Sequence, residues 1–310
     1  MPGSFRYDGF EIVDSSVMCR YSVDDLRFVE QITFSAGLDG SDPAVRAAAR
    51  LIFLLAGVSY YKTSAPPVID LGKYALTPAE KAFLQGFYGQ GLGEFAYRND
   101  LTLDIEIRAR EAAPNPVGYQ PQSGRPLVPF GGGIDSIVSV EHVRSRFDDV
   151  ALFVSSPGGA LFDAIEAPAA LSGLPIVRAT RSIDEKVLRS RELGFLNGHV
   201  PVTGVLSAVA VLAAVSVGRD AVVMSNERSA SVPTLVLADR SINHQYSKSW
   251  SFEQAFSAVL AESIGPRLRY FSLLRPYSEL WVAERFAKLR EYHHVFRSCN
   301  RAFHIYPAAR

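Results

Sequence analysis

The spacing of apolar and polar positions changes character near residue 120. Before it, strand-like and helix-like pieces mix. "PAVRAAARLIFLLAGVSYYK" has helical composition up to Ala56, and Gly57 is expected to stop that helix. "TPAEKAFLQGFYGQGLGEFAY" opens with Thr77 as an N-cap and proline at the first helical position. Leu101 to Ala109, "LTLDIEIRA", alternates with period two and predicts a half-buried strand. Arg110 to Pro126, with four prolines and two glycines, reads as a loop. It divides a smaller α+β N-terminal domain, residues 1–115, from a second domain, residues 120–310.

Beyond that loop the pattern is regular. "LVPF" predicts a short buried strand, Ile134 to Phe147 a helix, "VALFVSSP" a strand, and "ALFDAIEAPAALSG" a helix that Gly173 ends. "LPIVRAT", the Ala/Val helix of Val205 to Gly218, and the strand "DAVVMS" follow. Strands alternating with helices imply an α/β fold with a parallel sheet and right-handed crossovers. The Ala/Val segment falls short of the roughly 20 apolar residues that a bilayer requires.

Bulk properties narrow the class. The 32 basic and 32 acidic residues cancel, which argues against a nucleic-acid backbone as the main partner. Two cysteines, Cys19 and Cys299, make no disulfide framework and suit a reducing compartment. The first residues lack the pattern of a signal peptide. Together these point to a cytoplasmic protein acting on a small molecule, with no membrane partner.

The chemistry concentrates in "VPFGGGIDSIVSV", Val128 to Val140. Gly131, Gly132 and Gly133 follow a predicted strand and precede a helix. In an open α/β sheet ligands sit beyond the C-terminal ends of strands. Glycines let backbone N–H groups approach an anion, and a helix N-terminus favours negative charge. Phosphate is the natural ligand, with Ser136 adding a hydroxyl. Asp135 is either an ordinary N-cap or the ligand of a Mg2+ ion bridging carboxylate and phosphate. The run is neither a Walker A loop nor a dinucleotide fingerprint. It resembles the SGGxDS pyrophosphate (PP) loop of the ATP pyrophosphatase superfamily, with Gly131 in the place of the leading serine. That resemblance implies a PP-loop domain that cleaves ATP between its α- and β-phosphates and activates a substrate as its adenylate.

Polar clusters interrupt the apolar pattern where strands end: "LNGHVP" from Leu196, "MSNERSAS" from Met224, "NHQYSKSWSFE" from Asn243, "YFSLLRPYSEL" from Tyr270 and "FRSCN" from Phe296. With "GVSYYK" at Gly57 and "GLGEFAYRN" at Gly91, these segments resemble the MurL family of UDP-N-acetylmuramoyl-L-alanyl-L-glutamate epimerases. The resemblance implies ATP- and Mg2+-dependent inversion of a terminal L-Glu to D-Glu in peptidoglycan precursor synthesis. It also implies a Cys-rich segment beyond "FRSCN" that this chain, ending at Arg310, does not carry.

Three tasks then need residues. Gly131, Gly132, Gly133, Asp135 and Ser136 suit phosphate binding, with Mg2+ at Asp135. Lys62, His199, Asn226, Arg228, Gln245 and Arg275 are candidates for holding an acidic peptide and pyrophosphate. Glu227, His244, Lys248 and Cys299 are candidates for proton transfer at Cα, which needs a base on one face and a donor on the other. Each has a plainer reading. Glu227 caps the next turn, Arg275 makes a structural salt bridge, the histidines are structural, Cys299 is buried, and Tyr60 and Tyr61 pack. Two other functions stand beside the epimerase. One is an amide-forming or RNA-modifying enzyme using the same loop, disfavoured by neutral charge and the lack of an N-terminal glutaminase nucleophile. The other is a nucleotide-binding module without catalysis.

Overall fold

The computed structural model describes residues 3–158, 161–237 and 240–297. The N-terminal half holds an antiparallel meander, β1 (Ser4–Val13), β2 (Ser16–Val23) and β3 (Leu26–Phe34). It continues through α1 (Pro43–Ala56), α2 (Val58–Tyr61), β4 (Val68–Leu76), α3 (Pro78–Gly89), α4 (Gly93–Arg98) and β5 (Glu106–Glu111). The second half begins with β6 (Pro126–Pro129), α5 (Ile134–Arg144), β7 (Ala151–Pro157), α6 (Asp163–Ser172) and β8 (Ile176–Ser182). Then come α7 (Glu185–Leu188), α8 (Val202–Ser216), β9 (Ala221–Met224), a small hairpin of β10 (Leu235–Leu237) and β11 (Arg240–Ile242), α9 (Trp250–Ser263), β12 (Arg269–Ser272) and α10 (Glu279–Phe286).

Ten of these strands form one mixed, mostly parallel sheet in the order β12-β9-β6-β7-β8-β3-β2-β1-β4-β5. The five strands that the second half gives to this sheet pair with one another in parallel, while β10 and β11 form a separate antiparallel hairpin. The seam with the first half is antiparallel, Gln31 to Phe34 of β3 running against Ser182 to Ala179 of β8. Successive side chains of a strand face opposite ways. Leu127, Phe153 and Val222 therefore enter the core beneath α1 and α8, with Phe53, Val209 and Phe252. Val128, Leu152 and Val223 meet Ile137, Val140 and Val282 of α5 and α10 on the other side. At the seam Glu30, fully buried, receives Arg181 through Nε (2.7 Å) and Nη2 (3.1 Å). Arg181 Nη2 also donates to Ser59 Oγ at 2.9 Å.

Local expectations divide. Thr77 caps α3 in a full capping box with Glu80, and Gly173 ends α6 in the left-handed region at φ +67°. The strand expected over Leu101 to Ala109 begins only at Glu106, where pairing with Val68 starts. The loop expected from Arg110 to Pro126 is shorter, because Arg110 and Glu111 pair in β5 and Pro126 opens β6, and it is pinned rather than free. Val117 and Tyr119 N–H groups donate to Ser263 and Ile264 carbonyls at 3.2 and 3.1 Å.

Gly57 closes α1 as its C-cap, as the sequence implies, and α2 begins at Val58. Its backbone stays right-handed helical (φ −51°), so Pro43 to Tyr61 together are long and apolar enough to cross a membrane, although most of that stretch is buried in this fold. The glycine also answers a second need. Tyr7 Oη donates to Leu54 O at 2.7 Å and lies 2.6 Å from Tyr88 Oη. A Cβ on residue 57 would stand 2.8 Å from the first hydroxyl and 2.9 Å from the second. Helix propensity alone makes Gly57→Ala stabilising by about 1 kcal/mol. The tyrosine pair reverses that sign, and we expect a loss of about 1–3 kcal/mol in urea unfolding.

Candidate active site

The order of the parallel strands creates one crevice. From β6 the chain runs outward through β7 to β8, then crosses back to β9 and β12 on the other flank. Backbone ends diverge at such a reversal and leave room for a ligand. A cavity of about 730 Å³ lies there, reached by Gly131, Asp135, Ser155, Asn226 and Lys248. Phe130, Phe153, Phe162, Ile165 and Met224 supply its apolar wall.

The glycine loop forms one side. Gly132 has φ +74°, and a Cβ there would lie 2.1 Å from the Ala164 carbonyl oxygen, so α6 packs directly on its backbone. At Gly131 a Cβ meets nothing within 4 Å. Gly133 is the N-cap of α5, and Asp135 falls in the first turn, so the plainer reading of Asp135 as the cap is corrected. Ser136 Oγ donates to Gly133 O at 2.9 Å. Burial, then Glu227 and Glu279, push the Asp135 carboxyl above its ordinary value, opposed by the Lys248 charge.

The facing side comes from the segment after β9. Asn226 Nδ2 donates to Ser272 Oγ at 3.0 Å. Glu227 caps the turn Arg228–Ser231, accepting from Ser229 N and from Ser229 Oγ (2.9 Å), while also lining the cavity. The same serine hydroxyl lies 2.8 Å from Glu279 Oε1. Lys248 lines the cavity and enters no ion pair with a described residue. Arg228 is exposed, and its N–H donates to Tyr277 O at 3.1 Å. Arg275 is not among the residues lining the cavity, and its Nη2 is ion-paired with Glu253 at 2.7 Å.

A second group adjoins this one through Lys248. His199 and His244 have ring centroids 6.3 Å apart. Burial holds His199 below the usual imidazole value; Glu94 opposes this, and His244 and Lys248 add to it. His244 is exposed, with Nδ1 against Thr234 Oγ1, and Gln245 N–H donates to Asn243 Oδ1 at 2.8 Å. Lys62, only 8% exposed, does not line the cavity. Its Nζ donates to Asn197 Oδ1 (2.8 Å) and Gly198 O (3.4 Å), directly before His199. Burial, then Arg181, lower its pKa.

The N-terminal motifs thus converge on one loop. Thr63 O accepts from Leu196 N at 2.9 Å, Asn99 Nδ2 donates to Asn197 O at 3.0 Å, and Gly91 makes room for Pro201. Tyr60 and Tyr61 pack, at 5.1 Å from Tyr21 and Tyr88 respectively. Cys299 lies outside the described residues.

The sequence reading missed Thr203, Glu279 and Arg297 among the cavity residues. Glu279 had a signal, since it follows the helix-capping Ser278 inside a polar cluster. The loop suits a polyphosphate. No group of three or more metal-ligating side chains gathers among the described residues. Mg2+ held by one or two carboxylates and by phosphate oxygens needs no such group, and Asp135 beside Glu227 and Glu279 fits that mode.

Residues 3–273 match the model of the MurL N-terminal domain. The chain belongs to the MurL family. The matched span includes the glycine loop, the His199 loop and Lys248, and stops before Arg275 and Glu279. Among relatives, the UDP-N-acetyl-alpha-D-muramoyl-L-alanyl-L-glutamate epimerase of Xanthomonas oryzae pv. oryzae is 45% identical over 84% of this chain and 58% of its own length. Proteins of the same name from Salinispora tropica and a Micromonospora species are 42% and 41% identical, over 90% and 91% of this chain and 62% and 64% of theirs. The chain therefore spans about three fifths of the length of these MurL relatives.

Two predictions follow from the loop geometry and its charges. Gly131→Ser, placed in open space, leaves the unfolding midpoint unchanged, whereas Gly132→Ala loses at least about 2 kcal/mol through its positive φ and the Ala164 carbonyl. Asp135→Asn raises the Tm of the unliganded protein by roughly 2 °C at neutral pH. Because the folded carboxyl has the higher pKa, its ionisation disfavours the native state as pH rises through that value. The gain should therefore vanish below the ordinary aspartate range, near pH 4, in thermal scans at a series of pH values.

Proposed function

We propose that this chain carries the catalytic PP-loop site of a MurL-type epimerase. It would convert the terminal L-Glu of UDP-MurNAc-L-Ala-L-Glu to D-Glu in the cytoplasm, consuming ATP with Mg2+ and releasing AMP and pyrophosphate. The observation that carries this reading is the glycine loop at the β6 switch point, facing Lys248 across a cavity of nucleotide size, in a chain whose relatives bear the epimerase name.

The chemistry explains why an adenylating loop serves an epimerase. A Cα hydrogen beside an ionised carboxylate is a very weak acid, because its removal builds a second negative charge. Esterifying the carboxylate as an acyl adenylate removes the first charge, and the anion formed at Cα then resembles an ester enolate. Each 1.4 kcal/mol removed from the barrier is about tenfold in rate. Reprotonation from the opposite face and hydrolysis give D-Glu and AMP.

The residues divide the work accordingly. Gly131, Gly132 and Gly133 present backbone to the triphosphate, and Ser136 and Asn226 add polar contacts. Asp135, supported by Glu227 and Glu279, would hold Mg2+, which neutralises phosphate charge. Lys248 stands beside both centres as a cation. His199, kept neutral by burial, can accept a proton or a hydrogen bond near pH 7. Glu227, His244, Lys248 and Cys299 form the group from which proton transfer is drawn. Arg228 and Gln245 would meet the acidic peptide outside the cavity lining, and Lys62 would act on it through the His199 loop.

The test is incubation with ATP, Mg2+ and UDP-MurNAc-L-Ala-L-Glu in D2O, followed by hydrolysis and assay of D-Glu, Cα deuterium and AMP. D-Glu carrying deuterium, with stoichiometric AMP, is the expected result. AMP without D-Glu would remove the epimerase and leave adenylation. Absence of both would remove the proposal.

A further inference from the structure

Arg275 was expected to meet substrate, and its surroundings give it another task. Its side chain is 14% exposed and lies at the turn after β12. Nη2 donates to the Lys248 carbonyl (2.8 Å), to Glu253 Oε2 (2.7 Å) and to Ser272 Oγ (3.3 Å). Nη1 donates to the Glu227 carbonyl (3.2 Å) and to Ser231 Oγ (3.3 Å). The planar guanidinium thus ties together the backbones of two cavity residues on separate segments, one after β9 and one before α9. Glu253 is fixed in turn, since its Oε1 accepts from Ser272 N at 3.0 Å.

We propose that Arg275 is a positioning residue, a clasp that sets the spacing of the Glu227 and Lys248 backbones beside the cavity. Arg275 is not itself among the residues that line the cavity. A lysine cannot reproduce the fork, because an ammonium is a point charge with no fixed plane. Removing the side chain altogether would strand Glu253 as a buried, unpaired carboxylate, so Arg275→Ala tests folding more than positioning. Arg275→Lys keeps the charge and loses the geometry, and it is the informative variant.

The structural half of the test uses the unliganded protein and is independent of the epimerase reading. In amide hydrogen exchange, Arg275→Lys should speed exchange at least tenfold in residues 226–231 and 246–249 together, with α8 and β6 unchanged. No change in these two segments, or acceleration spread over the whole chain, overturns the clasp. The functional half rests on the proposed reaction. A displacement of about 1 Å in a reacting constellation costs about a hundredfold in rate. The Lys variant should therefore lose about a hundredfold in kcat, with KM for ATP within threefold, because the glycine loop is untouched. Loss confined to KM, or kcat falling only in proportion to the folded fraction, would overturn the positioning role. Wild-type protein that consumes no ATP would remove the reaction, while the exchange result would still decide the clasp.

Discussion

The bidentate pair of Glu30 and Arg181 governs how the two halves of this chain meet. A carboxylate with no solvent exposure is tolerable only when paired and hydrogen-bonded. That requirement favours the β3–β8 register that brings the two groups together. The effect continues outward, because Arg181 also holds Ser59 in α2. Three residues later Lys62 donates to Asn197 and so to the loop that presents His199. A charge pair inside the sheet is thereby linked, through hydrogen bonds and a short stretch of chain, to the loop that carries His199.

The cavity itself is assembled against the grain of stability. Asp135, Glu227 and Glu279 share one region, with Lys248 and Arg297 as cations on the same lining. Like charges gathered in a half-buried pocket raise the energy of the native protein, and the proposed Mg2+ would relieve it. Binding free energy and folding free energy are then partly the same quantity, as expected where function and stability compete.

The parallel half was legible because its information is local. Buried strands, the Gly173 stop and the glycines before Ile134 each act within a few residues, and Gly131, Gly133, Asp135 and Ser136 line the cavity while Gly132 packs against α6. What escaped the sequence depends on distant partners. The helix end at Gly57 was readable from the glycine itself, but nothing near it announces Tyr7 and Tyr88, whose hydroxyls leave no room for a Cβ there. The pairing of Gln31 with Ser182 joins residues far apart in the chain and leaves no periodic mark. Lys62 and Arg275 were sought as ligand contacts because they are cations near distinctive motifs. Their hydrogen bonds run to protein carbonyls and side chains, which residue type cannot disclose. The polar clusters did identify where the chemistry gathers, and they mixed the residues that line the cavity with those that brace them.

The antiparallel seam carries a consequence for solubility. Cutting the chain in the loop after β5 would yield two five-stranded sheets, each ending in a bare strand, β3 on one and β8 on the other. Unpaired edges of this kind recruit further strands and aggregate. In this chain each half therefore acts as the other's edge protection, and the half that carries the glycine loop is expected to lose solubility when it is expressed without the meander.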